Sequence, residues 1–108
     1  MRTELIVSPE VDGVVAEIVA RFRPERIVLF GSHAAGRADA GSDVDVLVVM
    51  ETVLRPLQQA AAISREISHR VPVDLVVRTP EQLASPDPRD VLLRMILREG
   101  AVVYAAGS

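Results

Sequence analysis

Residues 29–49 read Leu-Phe-Gly-Ser-His-Ala-Ala-Gly-Arg-Ala-Asp-Ala-Gly-Ser-Asp-Val-Asp-Val-Leu-Val-Val. This segment is the main basis for predicting the fold. The apolar run 26–30 predicts a short strand that ends at Gly31-Ser32. The segment 33–42 is rich in Gly, Ala and Asp, which is typical of a loop. A second run at 43–50 is almost entirely Val and Leu apart from two aspartates. The stretch therefore predicts two strands joined by a glycine-rich loop.

The two aspartates stand at alternate positions of the second predicted strand. Because side chains alternate between the faces of a strand, we expect the carboxylates of Asp43 and Asp45 on one face. Two like charges at that separation repel each other unless a cation lies between them. Mg²⁺ is a hard cation that prefers carboxylate and phosphate oxygens. The pattern predicts a magnesium site at the start of this strand.

A third aspartate lies in another apolar run, at residues 71–77, which predicts a third strand. Asp74 stands inside this run, where a buried carboxylate is costly unless it is paired or bound to a metal. If the two strands are neighbours, Asp43, Asp45 and Asp74 converge on one spot. Three convergent carboxylates, in a chain without cysteine, suit a pair of magnesium ions.

The turn after the first strand carries the features of a phosphate site. Gly31 lets the backbone approach a ligand closely, and the Ser32 hydroxyl can donate to a phosphate oxygen. Backbone N–H groups at such a turn also bind phosphate. Gly36 and Arg37 follow in the same loop, and the Arg37 guanidinium can offset negative charge that develops during phosphoryl or nucleotidyl transfer. The rival interpretation of Arg37 is a solvated surface charge.

Apolar periodicity outside this stretch predicts helices and a closing strand. Ser8 is a candidate N-cap, and the apolar residues after it recur at helical spacing until Pro24 ends the helix. Helices that alternate with strands predict an α/β domain with helices packed on a small sheet. The predicted helices are 9–22, 56 to about 69, and a third that follows Pro88 and ends at Glu99; the predicted closing strand is 101–104.

Composition excludes several classes of protein. The chain has 108 residues, which fits one domain over 1–108. The absence of cysteine excludes disulfides, zinc–thiolate sites and a cysteine nucleophile. A net charge of −3 and only three aromatic residues argue against direct binding of nucleic acid. The sequence has neither a signal-peptide profile nor an apolar run of membrane-spanning length, so we expect a cytoplasmic protein without membrane association.

At these motifs the chain resembles the DNA polymerase β-type nucleotidyltransferase superfamily. Its signature is an apolar strand, Gly-Ser, a loop, and Asp-x-Asp in the next strand. Gly31-Ser32 and Asp43-Val-Asp45 match it, and Asp74 falls where the family places its third carboxylate. The resemblance implies a nucleotidyltransferase core of α+β type, with a small mixed sheet flanked by helices.

Within this superfamily, residues 96–104 are similar to the tail of the minimal nucleotidyltransferases, called MNT proteins. MNT proteins are the antitoxins of HEPN–MNT toxin–antitoxin pairs. The resemblance implies a protein adenylyltransferase that moves AMP from ATP to a tyrosine hydroxyl of a partner HEPN ribonuclease and silences it. Asp43 and Asp45 would hold two Mg²⁺ ions and Asp74 one of them, with Gly31, Ser32, Gly36 and Arg37 on the nucleotide.

Two alternatives remain open. An inactive nucleotidyltransferase fold could neutralise a toxin by occlusion alone. The site could also serve a small molecule or an RNA end, although the chain has neither a basic surface balance nor an added recognition domain. One departure from the family stands out, because many relatives have Arg directly after Gly-Ser where this chain has His33. We interpret His33 as a solvated loop residue.

Overall fold

The computed structural model describes residues 8–38, 42–67 and 72–107. Four helices and four strands lie within these ranges, in the order α1-β1-β2-α2-β3-α3-α4-β4. The sheet order is β3-β2-β1-β4. The elements are α1 (Pro9–Phe22), β1 (Arg26–Phe30), β2 (Val44–Val49), α2 (Pro56–Glu66), β3 (Val73–Arg78), α3 (Pro80–Ala84), α4 (Val91–Glu99) and β4 (Ala101–Ala105).

The sheet is mixed, as the resemblance implies. β1 runs antiparallel to both β2 and β4, whereas β2 and β3 are parallel. A parallel pair needs a crossover connection, and α2 supplies it between β2 and β3. The predicted fold class is confirmed.

Successive strand residues pack against opposite layers because side chains alternate along a strand. Ile27 and Leu29 of β1 join the apolar cluster that includes α1 and α2. Val28 and Phe30 join a second cluster, with Leu93 of α4. Helices therefore cover both faces of the sheet, and every residue of β2 except Asp45 is buried.

The first helix forms for the reasons that the sequence gives. The Ser8 hydroxyl accepts a hydrogen bond from the Val11 N–H at 3.3 Å, which satisfies one of the orphan donors of the first turn. Val11, Val14 and Ile18 are buried, as the helical spacing predicts. The helix ends at Arg23, which takes the left-handed conformation at φ 47°. The prediction of a helix over 9–22 is confirmed.

The structure differs from the prediction at the start of β2, at the end of α2 and in one additional helix. β2 begins at Val44, so Asp43 precedes the strand rather than lying in it. α2 ends at Glu66, because Ile67 is already extended; the predicted end at His69 lies outside the described residues. α3 was not anticipated, although Thr79 and Gln82 form a capping box at its start.

The last helix is fixed over the sheet by one carboxylate with two functions. Asp90 is the N-cap of α4 and accepts from the Leu93 N–H at 3.2 Å. It also accepts two hydrogen bonds from Arg78 at the end of β3, at 2.8 Å from Nε and 3.2 Å from Nη2. These bonds attach the start of α4 to the end of β3.

Within the described residues, no helix is long and apolar enough to span a membrane.

Candidate active site

Strand register brings two of the predicted carboxylates together. Asp45 of β2 lies opposite Phe30 of β1 on one side and opposite Asp74 of β3 on the other. These three residues therefore form one row across the sheet, on the face that α4 covers farther along. The predicted convergence of Asp45 and Asp74 is confirmed by this register.

The surroundings of the carboxylates differ from the expectation for Asp74. Asp45 is partly buried, but Asp74, which lies on the edge strand β3, is exposed. The argument that Asp74 is a buried carboxylate is therefore wrong, although its position beside Asp45 is as predicted. Asp43, just before β2, is exposed as well.

Burial and the neighbouring carboxylates raise the pKa of Asp45 from 3.8 to about 6. Burial is the largest cause, because it disfavours the charged form. The charge of Asp74 and a hydrogen bond to its side chain come next, followed by the charge of Asp43; the charge of His33 acts in the opposite direction. The row is therefore a concentration of negative charge near the start of β2 and β3.

Gly31 is required at the end of β1 for two reasons. Its φ of +75° lies in the left-handed region, which strains any residue with a Cβ. A Cβ at this position would also overlap Oδ2 of Asp45 and lie 3.1 Å from its Cγ. The Gly31 backbone thus lies directly against the Asp45 carboxyl group, which places the predicted phosphate turn beside the predicted metal ligand.

The rest of the turn is folded by its own backbone. The Ala35 N–H donates to the Gly31 carbonyl at 3.1 Å, and the Arg37 N–H donates to the Ser32 carbonyl at 2.9 Å. Gly36 has a φ of +74° and reverses the chain. Ser32 is partly buried, whereas Gly36 and Arg37 are exposed. Ser32 and Gly31 therefore adjoin the acidic row, while Arg37 stands on the outer side of the turn.

Sequence reasoning missed the part that His33 plays in this loop. Its Nε2–H donates to the carbonyl of Ser42 at 3.3 Å, so the ring joins the start of the loop to its end. His33 is partly buried rather than solvated. The signal available in the sequence was its place directly after Gly-Ser, where many relatives have Arg.

The carboxylate oxygens of the row are suitable ligands for Mg²⁺, but the carboxylates do not surround a single point. Among the described residues, no three His, Cys, Asp or Glu side chains gather into a group that could hold a metal ion. Asp45 and Asp74 nevertheless lie side by side in the strand register, and carboxylate oxygens are the ligands that Mg²⁺ prefers. Asp45 and Asp74, with Asp43 beside them, are the residues that would hold it.

A groove of about 530 Å³ lies beside β3. Leu75 and Val77 contribute from the strand, Leu57 from the start of α2 and Leu92 from α4. Leu57 is 83% exposed and Leu92 is 39% exposed. The apolar residues of α4 are divided between core and surface, because Leu93 and Ile96 are buried while Leu92 is exposed.

Comparisons with known proteins agree with this geometry. The family model described as the nucleotidyltransferase domain matches residues 11–103. A protein assigned as a nucleotidyltransferase from Sulfolobus solfataricus superimposes with a TM-score of 0.62 at 20% identity, covering 90% of this chain and 81% of that one. A toxin–antitoxin structure with AMP-PNP gives a TM-score of 0.58 at 21% identity, covering 90% and 74%. At these identities both structures show a shared fold. No curated protein matches the chain.

Proposed function

This chain belongs to the nucleotidyltransferase domain family, and from that membership we propose that it transfers AMP from ATP to a hydroxyl group of a partner toxin. The observation that carries the proposal is the row formed by Asp45 and Asp74, with Gly31 against its end. A turn suited to phosphate and a pair of metal-binding carboxylates are the two parts that nucleotidyl transfer needs.

In this proposal each part of the row has a separate task. Backbone N–H groups at Gly31 and the Ser32 hydroxyl bind the triphosphate. The acceptor oxygen forms a bond to the α-phosphorus, the bond from that phosphorus to the pyrophosphate oxygen breaks, and pyrophosphate leaves. Asp74 takes up the proton of the acceptor hydroxyl. When bound, Mg²⁺ on Asp43, Asp45 and Asp74 neutralises charge on the phosphates.

The side chain of Arg37 is the part of the site with the least support. It is exposed on the outer side of the turn, so it would reach the phosphates only from the solvent side. We assign it to offset negative charge on the leaving pyrophosphate.

The acceptor is proposed as a protein because the sequence has only three aromatic residues with which to stack on bases, and because apolar side chains are exposed among the described residues. Leu57 of α2 and Leu92 of α4 border the groove beside β3. β3 is also the strand that carries Asp74. Exposed apolar patches of this kind mark protein contact surfaces. The fold is shared with a toxin–antitoxin structure, which supports a toxin as the partner. We extend the proposal to a tyrosine of a HEPN ribonuclease on the resemblance to MNT proteins.

The direct test is intact mass spectrometry of a HEPN ribonuclease incubated with this protein, ATP and Mg²⁺. We expect one or more AMP additions, and a loss of at least about a thousandfold in rate for Asp45→Asn, because metal coordination supplies several kcal/mol. Asp87→Asn is the matched control, since Asp87 is an exposed aspartate on the loop before α4. Equal transfer by wild type and Asp45→Asn would exclude the proposed site.

Other outcomes separate the alternatives. A stable complex without any mass change would favour an inactive fold that acts by occlusion. This alternative agrees with the finding that, among the described residues, the aspartates do not gather into a group that could hold a metal ion. Neither a complex nor a mass change would move the search to small molecules and RNA ends.

A further inference from the structure

The loop between β1 and β2 begins and ends at the candidate site. Gly31, at its start, lies against the Asp45 carboxyl group. Ser42, at its end, immediately precedes Asp43. Both ends must therefore keep a fixed separation if the phosphate turn and the carboxylates are to bind one nucleotide.

One side chain joins these two ends. The Nε2–H of His33 donates to the Ser42 carbonyl at 3.3 Å, across nine residues of sequence. A carbonyl oxygen only accepts, so the ring carries a proton on Nε2. The next residue, Ala34, packs against the core cluster of α1 and α2, which holds the start of the loop on the body of the protein.

Asp43 needs such support more than the other carboxylates do. Asp45 and Asp74 are held by strand pairing, whereas Asp43 precedes the first residue of β2 and is exposed. Its position is fixed from one side by Val44, whose N–H donates to the Pro72 carbonyl at 2.9 Å. The bond from His33 to Ser42 fixes it from the other side.

We propose that His33 is a positioning residue, which holds Ser42 and thereby sets Asp43 for binding of the magnesium–nucleotide complex. This inference rests on the proposed function for its effect on nucleotide binding. It assigns a task to the residue by which the chain departs from relatives that have Arg at this place. The charge of His33 also lowers the pKa of Asp45, which agrees with the ring lying close to the acidic row.

The test compares two substitutions at the same position. His33→Ala removes the donor, whereas His33→Gln places an amide Nε2–H where the imidazole has its own. Binding of AMP-PNP with Mg²⁺ is measured by calorimetry. Loss of a residue that orients metal ligands typically costs about 10- to 100-fold in affinity, so we expect at least about a tenfold loss for His33→Ala and recovery to within a few fold for His33→Gln.

A matched control removes a similar bond elsewhere. The Nη1 of Arg94 donates to the Pro88 carbonyl at 3.1 Å and stabilises the loop before α4. Arg94→Ala should leave the affinity for AMP-PNP unchanged. If His33→Gln binds as weakly as His33→Ala, or if His33→Ala binds as the wild type does, the proposal is overturned.

A second readout keeps this inference separate from the proposed function. Hydrogen exchange at the amides of residues 42–44, measured without nucleotide, reports on the fixation of this segment. We expect His33→Ala to speed exchange there by at least about tenfold relative to His33→Gln. If the wild type binds no AMP-PNP, the proposed function fails, and the exchange rates alone decide: equal rates in the two variants overturn the role of His33.

Discussion

The two ends of β3 present opposite electrostatic environments on one face of the sheet. At the start of the strand, Asp74 lies beside another carboxylate, and the pKa of Asp45 is raised to about 6. At the other end, the hydrogen bonds of Arg78 lower the pKa of Asp90. The second end is neutralised by the protein itself, whereas at the first end, among the described residues, no arginine pairs with Asp45 or Asp74. Such an imbalance is typical of a site that is completed by a ligand.

The largest expected loss of stability comes from a substitution at Gly31, which lies beside the acidic end of β3. Gly31→Ala imposes a Cβ on a φ of +75° and against the Asp45 carboxyl group, so we expect a loss of about 3 kcal/mol in the free energy of unfolding. Gly36→Ala has the same type of strain at +74° but meets no atom within 4 Å, and should cost about 1–2 kcal/mol. Denaturant unfolding measures both. Equal losses would show that the Asp45 contact contributes nothing.

Breaking the paired end should have the next largest effect. Asp90→Ala removes the N-cap of α4 and the bidentate partner of Arg78, so we expect a loss of about 2 kcal/mol. Asp90→Asn keeps an oxygen for the cap but loses the charge, and should cost about half as much. Thermal unfolding at neutral pH tests this order; equal losses for the two variants would show that the cap contributes nothing beyond the ion pair.

An Asp→Asn substitution at the acidic end, Asp45→Asn, should instead raise the free energy of unfolding. Without metal, Asp45→Asn removes a repelled carboxylate and provides an amide that can donate to Asp74, so we expect a gain of about 1 kcal/mol at pH 7.5, after solvent screening. Added Mg²⁺ should reduce this gain, because it favours the wild type alone. Thermal unfolding in EDTA and in Mg²⁺ makes the comparison.

The pH dependence of this gain follows from the raised pKa. Between the ordinary value of 3.8 and the folded value of about 6, the folded protein holds a proton on Asp45 that the unfolded chain releases. Wild-type stability without metal therefore falls as pH rises through this interval and levels off above it. The advantage of Asp45→Asn should vanish near pH 4 and be complete above pH 6. An advantage that does not change with pH would contradict the assignment.

The smallest effect is expected at a site remote from both ends of β3. Gly13 is an exposed residue in the middle of α1, and a Cβ there meets nothing within 4 Å. Gly13→Ala should raise the free energy of unfolding by about 0.5–1 kcal/mol, through helix propensity alone. Nucleotide binding should not change. A destabilised variant would mean that this face of α1 has a packing role.

The row of Asp45 and Asp74 could be predicted because its causes are local. Side-chain alternation and the Gly-Ser and Asp-x-Asp spacing are visible in the sequence, and they place Gly31 and Asp45 together once two strands pair. The exposure of Asp74 could not be predicted in this way. The pattern of apolar residues is the same for a central strand and for an edge strand. It therefore does not show which side chains the neighbouring elements will cover.

Two other features escaped prediction for different reasons. α3 has five residues, too few for a periodic pattern, yet Thr79-Pro80 and Gln82 give the capping-box spacing that marks its start. The bond from His33 to Ser42 joins residues nine apart within an irregular loop. No periodicity reports such a contact, so only the folded loop reveals it.

The position of Asp74 on an edge strand determines how large an acceptor the site can admit. A carboxylate in the middle of a sheet is reached only through a cleft, and a cleft selects small molecules or flexible chain ends. Asp74 is exposed at the border of the sheet, with the exposed Leu57 farther along the same edge. For the protein acceptor that we propose, a hydroxyl that projects from a folded surface would approach this border from the side.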